Sequence, residues 1–370
     1  MTHAMLPAAS HDELAEQLFV RDLKVWLTEE VEPQARALAA SLDPGPASNA
    51  RTAQTYERLL DDGAFRDWAS VRRASQELMW DAIGRGVARQ REVLEAKAAA
   101  APALGSLSLD PDFVLPDYLA AGDVHLMPGG YQAEDGGIGQ GAIMDRGGAV
   151  YMLGKNGGFL NDGRGKTIVQ HLFARYPGFA PTRILELGCG IGASIVPVAT
   201  AFPEAEVHGV DVGASMLRYA LARARHLGVA IDLAQGSAER TRFDDASFDL
   251  VFSATLFHET SQAAIGRVLS ESRRLLRPGG VAVHLEVPQR YDTMDLWGRV
   301  RGRIEADYNN EPAWQAAISA DYLAAMRAAG FAEVTAGYQD ACFAPDRAAG
   351  GFSDTSKGVF RSWFVASGRA

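Results

Sequence analysis

The segment Arg183-Ile-Leu-Glu-Leu-Gly-Cys-Gly-Ile-Gly-Ala-Ser194 constrains the fold more than any other part of the chain. An apolar run carrying one carboxylate breaks into three alternating glycines, the pattern of a strand entering a ligand-binding turn. Gly188, Gly190 and Gly192 let the backbone turn sharply and approach a ligand where a Cβ would clash. A helix over 193–202 would aim its free N–H groups at that ligand. Because Ala193 follows Gly192, the same stretch satisfies the G-x-G-x-x-A dinucleotide fingerprint. The turn alone therefore leaves a nicotinamide or flavin enzyme open.

From residue 170 onward strand and helix signals alternate, which implies a parallel sheet covered on both faces. The apolar runs predict strands at Arg183–Leu187, Glu206–Asp211, 230–235, 248–253 and 281–286, separated by helices such as 214–227 and 262–276. The tail adds a helix over 321–330 and strands at 332–336 and 359–366. The expected fold is α/β, a Rossmann-like doubly wound sheet with a helical N-terminal domain over 1–104. In that domain Trp68, Val71, Leu78, Met79, Ala82, Ile83, Val87, Val93 and Leu94 recur at helical spacing, a stripe suited to a core or to the seam of a homodimer. Trp26, Trp68 and Trp80 are expected packing anchors. Glycines crowd positions 127–166, so residues 105–169 read as a connecting segment that roofs a pocket. Residues 170–370 complete the chain, with a lid insertion at about 288–318.

With 36 Lys and Arg against 46 Asp and Glu, the formal net charge is -10. That argues against nucleic acid as a partner, because such binding is driven by cationic side chains displacing counterions; a small molecule fits better. Cys189 and Cys342 are too few and too separated for a disulfide framework or a thiolate zinc site. The first ten residues lack a basic flank before an apolar core, and no apolar run is long enough to span a membrane. A cytoplasmic protein without a membrane partner is expected.

Asp211 lies about 20 residues past the glycines, where a doubly wound fold places the carboxylate that accepts from ribose hydroxyls. Met216-Leu217, Gly236-Ser-Ala-Glu239, Phe243-Asp-Asp-Ala-Ser-Phe-Asp249 and Leu275-Leu-Arg-Pro-Gly-Gly280 follow in turn. In order and spacing this set resembles the class I S-adenosylmethionine-dependent methyltransferases, especially their UbiE-like branch of small-molecule enzymes. The resemblance covers roughly residue 170 to the end. It implies S-adenosyl-L-methionine as cofactor, held by Glu186, Gly188, Gly190, Gly192, Asp211, Val212, Met216, Ser237, Ala238 and Ser253. Glu186 would sit near the methionine ammonium. Many relatives have Asp where Ser237 stands, and a hydroxyl accepts from the adenine amino group more weakly.

Methyl transfer from a sulfonium mainly needs alignment and exclusion of water. A hydroxyl or acidic carbon acceptor also profits from a base, and His258, beyond the fourth strand on the ligand-binding rim, is the candidate. Glu259 could orient it, while His125 and Tyr131 could reach the acceptor from ahead of the first strand. His284 and Glu286 share one face of the fifth strand. In the insertion Tyr291, Met294 and Trp297 could line an apolar pocket, and Arg290, Arg299, Arg301 and Arg303 could meet a carboxylate. No spaced ligand motif calls for a metal, although His125, His258 and Glu259 offer suitable donors for an oxo-acid substrate. The expected activity is methyl transfer to oxygen or carbon of a small metabolite, with nitrogen or sulfur as the alternative acceptor. The rivals are an NAD-dependent oxidoreductase and a non-catalytic subunit that keeps the fold.

Overall fold

The computed structural model describes residues 2–42, 48–119, 122–287 and 294–370. Among the described residues five α-helices open the chain: α1 (His11–Trp26), α2 (Glu32–Leu42), α3 (Asn49–Leu60), α4 (Gly63–Arg89) and α5 (Arg91–Ala99), with a π-helical turn at Leu27–Val31 joining the first two. Ser10 and Glu13 start α1 with a reciprocal capping box, which satisfies two of its free amide donors. A short strand β1 (Ser106–Ser108) leads to α6 (Gly139–Tyr151) and α7 (Gly163–Arg175). The sheet then alternates with helices: β2 (Arg183–Leu187), α8 (Ile195–Ala201), β3 (Glu206–Asp211), α9 (Ala214–His226), β4 (Asp232–Gln235), β5 (Phe248–Ala254), α10 (Gln262–Leu275) and β6 (Leu276–Glu286). The chain ends with α11 (Leu296–Tyr308), α12 (Trp314–Ser319), α13 (Tyr322–Ala328), β7 (Ala332–Asp340), β8 (Phe352–Ser353) and β9 (Ser362–Arg369).

The nine strands found among the described residues form one sheet in the order β1-β4-β3-β2-β5-β6-β9-β7-β8. Pairing is parallel from β1 to β6, whereas β9 runs antiparallel between β6 and β7. The expected doubly wound sheet is present, but its reversed ninth strand departs from the 3-2-1-4-5-6 order of dinucleotide-binding sheets. Alternate residues of each strand feed opposite layers. Ile184, Leu250, Val281 and Val283 pack with residues of α7, α8 and α9, while Leu185, Leu187, Val251 and Ala282 pack with α10 and α13. Chain direction across the sheet reverses between β2 and β5, which opens a crevice at their carboxyl ends.

The glycine-rich stretch is not the irregular connection that its composition predicts. It contains α6, which packs between α4 and α9, and its glycines are the contact face. A Cβ on Gly141 would lie 2.3 Å from Tyr219 Cβ, and one on Gly147 would lie 2.0 Å from the Trp80 ring. Gly147→Ala should lower stability in urea denaturation by about 1–3 kcal/mol through overpacking, against a helix-propensity gain of about 1 kcal/mol. Gly84→Ala on α4, where a Cβ would meet nothing within 4 Å, should show the gain alone.

The opening helices do not close a core by themselves. Leu27, Tyr56, Leu59, Phe65 and Trp68 pack with Trp297, Val300 and Ile304 of α11. Met5, Val20, Met79, Trp80 and Ile83 pack with Ile191, Met216 and Tyr219 of the sheet domain. Of the expected anchors, Trp68 and Trp80 are buried but Trp26 is 53% exposed. Val71 and Leu78 of the helical stripe are likewise exposed, because the buried face of α4 follows Trp68, Ser75, Met79, Ala82, Ile83 and Val87 instead; Val93 is exposed on α5, past the break at Gln90.

Candidate functional site

At the end of β2 the turn holds Gly188, Gly190 and Gly192 at φ 71°, 49° and 77°, in the left-handed region that side chains disfavour. Its amides are spoken for: Gly188 N donates to Val210 O at 2.8 Å, and Gly190 N to Asp211 Oδ2 at 2.8 Å. Asp211 Oδ1 accepts from Gly213 N at 2.9 Å, so one carboxylate ties the turn to the start of α9. Behind the turn the buried Arg223 donates to Gly192 O at 2.9 Å. Burial raises the Asp211 carboxyl above its ordinary value, against its three backbone hydrogen bonds.

A cavity of about 690 Å³ opens beyond this turn. Glu186, Gly188, Gly190, Asp211, Val212, Met216, Ser237 and Ala238 line it, as do His125, Tyr131, His258 and Glu259. The structure thus brings together twelve of the fourteen residues singled out from sequence. Gly192 packs instead against Ala220, 3.5 Å from where its Cβ would stand. Ser253 is a correction: fully buried, it hydrogen-bonds His284 Nδ1 at 2.9 Å, on the α10 side of the sheet and away from the cavity.

Two features of the wall suit the S-adenosylmethionine group. Among the described residues Glu186 Oε2 is buried without a hydrogen-bond partner; burial pushes this carboxyl well above its ordinary value, and the nearby Arg164 only partly offsets that. An ammonium at this point would compensate it. A Cβ on Gly190 would meet no protein atom within 4 Å, so the turn leaves space that a ligand can fill.

Past the turn the cavity wall is strongly ionic. Phe257–Glu259 is a single 3-10 turn after β5. His258 Nδ1 bonds Glu286 Oε2 at 3.0 Å, and its Nε2 lies 3.1 Å from Glu259 Oε1. His125 Nε2 bonds the same Glu259 oxygen at 2.8 Å, and its Nδ1 lies 2.8 Å from Glu311 Oε1. The Tyr131 hydroxyl donates to Glu259 Oε1 at 3.0 Å. Burial alone would lower the His258 pKa, but Glu259 and Glu286 outweigh it and bring it up to about 10. His125 is likewise held well above its usual range, by Glu311, Tyr131 and Glu259 against burial. This departs from what the candidate base of the sequence reading requires: with a carboxylate at each ring nitrogen, His258 favours its protonated form.

His284 and Glu286 do share a face, both against Phe257, and Glu286 holds His258 from behind without lining the cavity. Met294 and Trp297 line the cavity, whereas Arg290 and Tyr291 lie outside the described residues. Arg301 lines it too, but is engaged by Glu32 and Glu305; Arg303 sits over the Tyr56 ring. Sequence reasoning missed Arg164, whose Nη1 donates to Thr255 Oγ1 at 2.7 Å, and Trp314, which flanks His258; it placed Tyr151, which flanks His125, only within the glycine-rich stretch. It missed Lys24 as well, an ammonium that burial brings down to about 7. Only the placement of Arg164 between two glycines offered a signal.

Residues 184–280 match the family model described as "Methyltransferase domain". Over residues 184–280 the chain is similar to the class I S-adenosylmethionine-dependent methyltransferases. The chain is 32% identical over 117 residues to a fatty-acid O-methyltransferase of Mycolicibacterium smegmatis, covering 32% of this chain and 41% of that one. It is 38% identical over 106 residues to a malonyl-[acyl-carrier protein] O-methyltransferase of Methylococcus capsulatus, 29% and 38% of the two chains. A demethylmenaquinone methyltransferase of Deinococcus radiodurans matches at 34% over 109 residues, 30% and 44%. The methyltransferase match thus spans about two fifths of the length of these relatives. Both the match and the reversed β9 turn the dinucleotide reading aside. No helix among the described residues is long and apolar enough to cross a membrane.

Proposed function

We propose that the chain transfers the methyl group of S-adenosylmethionine to an oxygen or carbon atom of a small molecule held in the 690 Å³ cavity. The observation that carries this is the continuity of one cavity from the glycine turn and Asp211 to the His125, Tyr131, His258 and Glu259 cluster. Asp211 would accept from the ribose, Glu186 would face the methionine ammonium, and Val212, Met216, Ser237 and Ala238 would flank the adenine. The acceptor would give up its proton to solvent before the cavity is covered; the resulting anion attacks the methyl carbon, and the carbon–sulfur bond breaks with its electrons left on sulfur.

A thioether or amine acceptor needs no such cluster. An oxyanion or enolate does, because buried donors such as Tyr131 and the two imidazolium groups stabilise the anion that must attack. Two of the relatives are named as O-methyltransferases, which favours oxygen. The N-terminal helices supply Lys24, Gln76 and Trp80 to the far wall, so they would cover the acceptor and exclude water.

The reading is tested by calorimetry with S-adenosylmethionine and by detecting S-adenosylhomocysteine released with a panel of acceptors. Asp211→Ala should weaken donor binding by about 1.5–3 kcal/mol, the worth of hydrogen bonds to a charged group. Unchanged affinity would remove the ribose assignment.

A further inference from the structure

We propose that His125, His258 and Glu259 form a binding site for one divalent transition-metal ion, whose open positions face the cavity and take an oxygen of the acceptor. One ligand atom from each of the three lies within 4.8 Å of the others. Both imidazoles turn Nε2 toward the same oxygen, Glu259 Oε1, at 2.8 and 3.1 Å. Each has its Nδ1 beside a carboxylate of its own, Glu311 Oε1 at 2.8 Å and Glu286 Oε2 at 3.0 Å. A carboxylate behind each ring is the arrangement that orients metal-ligating histidines and raises their basicity. Here it occurs twice, on partners from separate parts of the chain.

The scaffold holds the set rigidly. His125 and Leu126 both adopt left-handed backbone, φ 58° and 57°, a conformation that costs of order 1–3 kcal/mol per residue and persists only where the surroundings impose it. Trp80 Nε1 at 2.7 Å and Gln76 Nε2 at 3.1 Å pin the His125 carbonyl. On the other side Glu286 accepts from both Phe257 N and His258 Nδ1, fixing the 3-10 turn. Two imidazole nitrogens and one carboxylate oxygen suit first-row ions such as zinc or iron(II) and leave positions open. All three residues line the cavity and Tyr131 stands beside them, so those open positions point to the space where an acceptor would sit. An ion there would displace the Nε2 proton of each ring and leave each Nδ1 proton on its carboxylate; it would bind an acceptor through one oxygen, or through two in a chelate, and stabilise its anion.

The part concerning the acceptor rests on the methyltransferase reading; the metal site does not. Tag-free protein stripped with a chelator should take up one zinc per chain in calorimetry, and cobalt(II) should give the visible absorption of a nitrogen-ligated ion. His125→Ala, His258→Ala and Glu259→Gln should each abolish that uptake while binding S-adenosylhomocysteine as the wild type does. Glu286→Gln should weaken zinc roughly 10- to 100-fold, and the exposed His11→Ala should change nothing. Wild-type protein that binds S-adenosylhomocysteine but neither metal overturns the proposal without recourse to any variant, as does uptake undiminished in the three ligand variants. Protein that takes zinc but neither S-adenosylmethionine nor S-adenosylhomocysteine overturns the methyltransferase reading and leaves the metal site standing.

Discussion

Gly190→Val is expected to abolish S-adenosylmethionine binding in calorimetry, a loss of at least about 1,000-fold or ~4 kcal/mol, in a protein that still folds. Gly190 has φ 49°, and a Cβ built there meets no protein atom within 4 Å. The added methyl groups would therefore occupy the ligand's space and not the protein's. A β-branched residue in left-handed backbone costs roughly 1–2 kcal/mol, so the variant should unfold somewhat earlier in urea but keep a single cooperative transition. Gly188→Val makes the contrast, since its Cβ would stand 2.7 Å from Leu256 Cδ1 and would disturb the fold as well as the site. A Gly190→Val protein with wild-type affinity would show that this turn does not hold the donor.

The sheet was most legible where strands are buried on both faces. β2 and β3 begin and end at the residues predicted, because an apolar run closed by glycine or aspartate leaves no other register. Edge strands were less legible. β1 pairs with β4 through only three residues, Ser106, Leu107 and Ser108, and nothing in so short a run competes with loop propensity. β6 starts at Leu276, earlier than the predicted 281, since Leu276 pairs with Phe248 across a bulge before the regular ladder begins. β7 and β9 run past their predicted ends at 336 and 366, to Asp340 and Arg369, as each pairs with the other along its length. α6 was hidden by its glycines, which serve a close helix contact that composition cannot distinguish from a loop.

Much of the site was readable because its residues flank recognisable elements. His258 and Glu259 follow the fourth predicted strand, and His125 and Tyr131 bracket the run before the glycine-rich stretch. Their chemical state was not readable. It depends on Glu286, 28 residues from His258, and on Glu311, 186 residues from His125, distances over which sequence carries no pairing signal.

A second large effect is expected in acid. His171 is buried between Gln339 Oε1 at 3.2 Å and Ser367 Oγ at 2.9 Å, and burial brings its pKa down to about 4. His284 bonds Ser253 Oγ through Nδ1, its Nε2 has no hydrogen-bond partner among the described residues, and burial brings it down to about 3. Both fold as neutral rings, whereas the unfolded chain protonates them below about 6.5. The unfolded state then binds more protons, so stability falls as pH drops through that value. At about 1.4 kcal/mol per pH unit and residue, the pair should cost about 4 kcal/mol between pH 6.5 and 5, with further loss down to about 4. In metal-free protein His258 works in the opposite sense: its folded pKa is raised to about 10, so its contribution is complete below 6.5 and drains away as pH climbs toward 10. Urea denaturation across pH should therefore give maximal stability near neutrality with a steep acid limb. His284→Gln, which cannot protonate, should flatten that limb by about half. An acid limb of unchanged steepness in that variant would assign the loss to other groups.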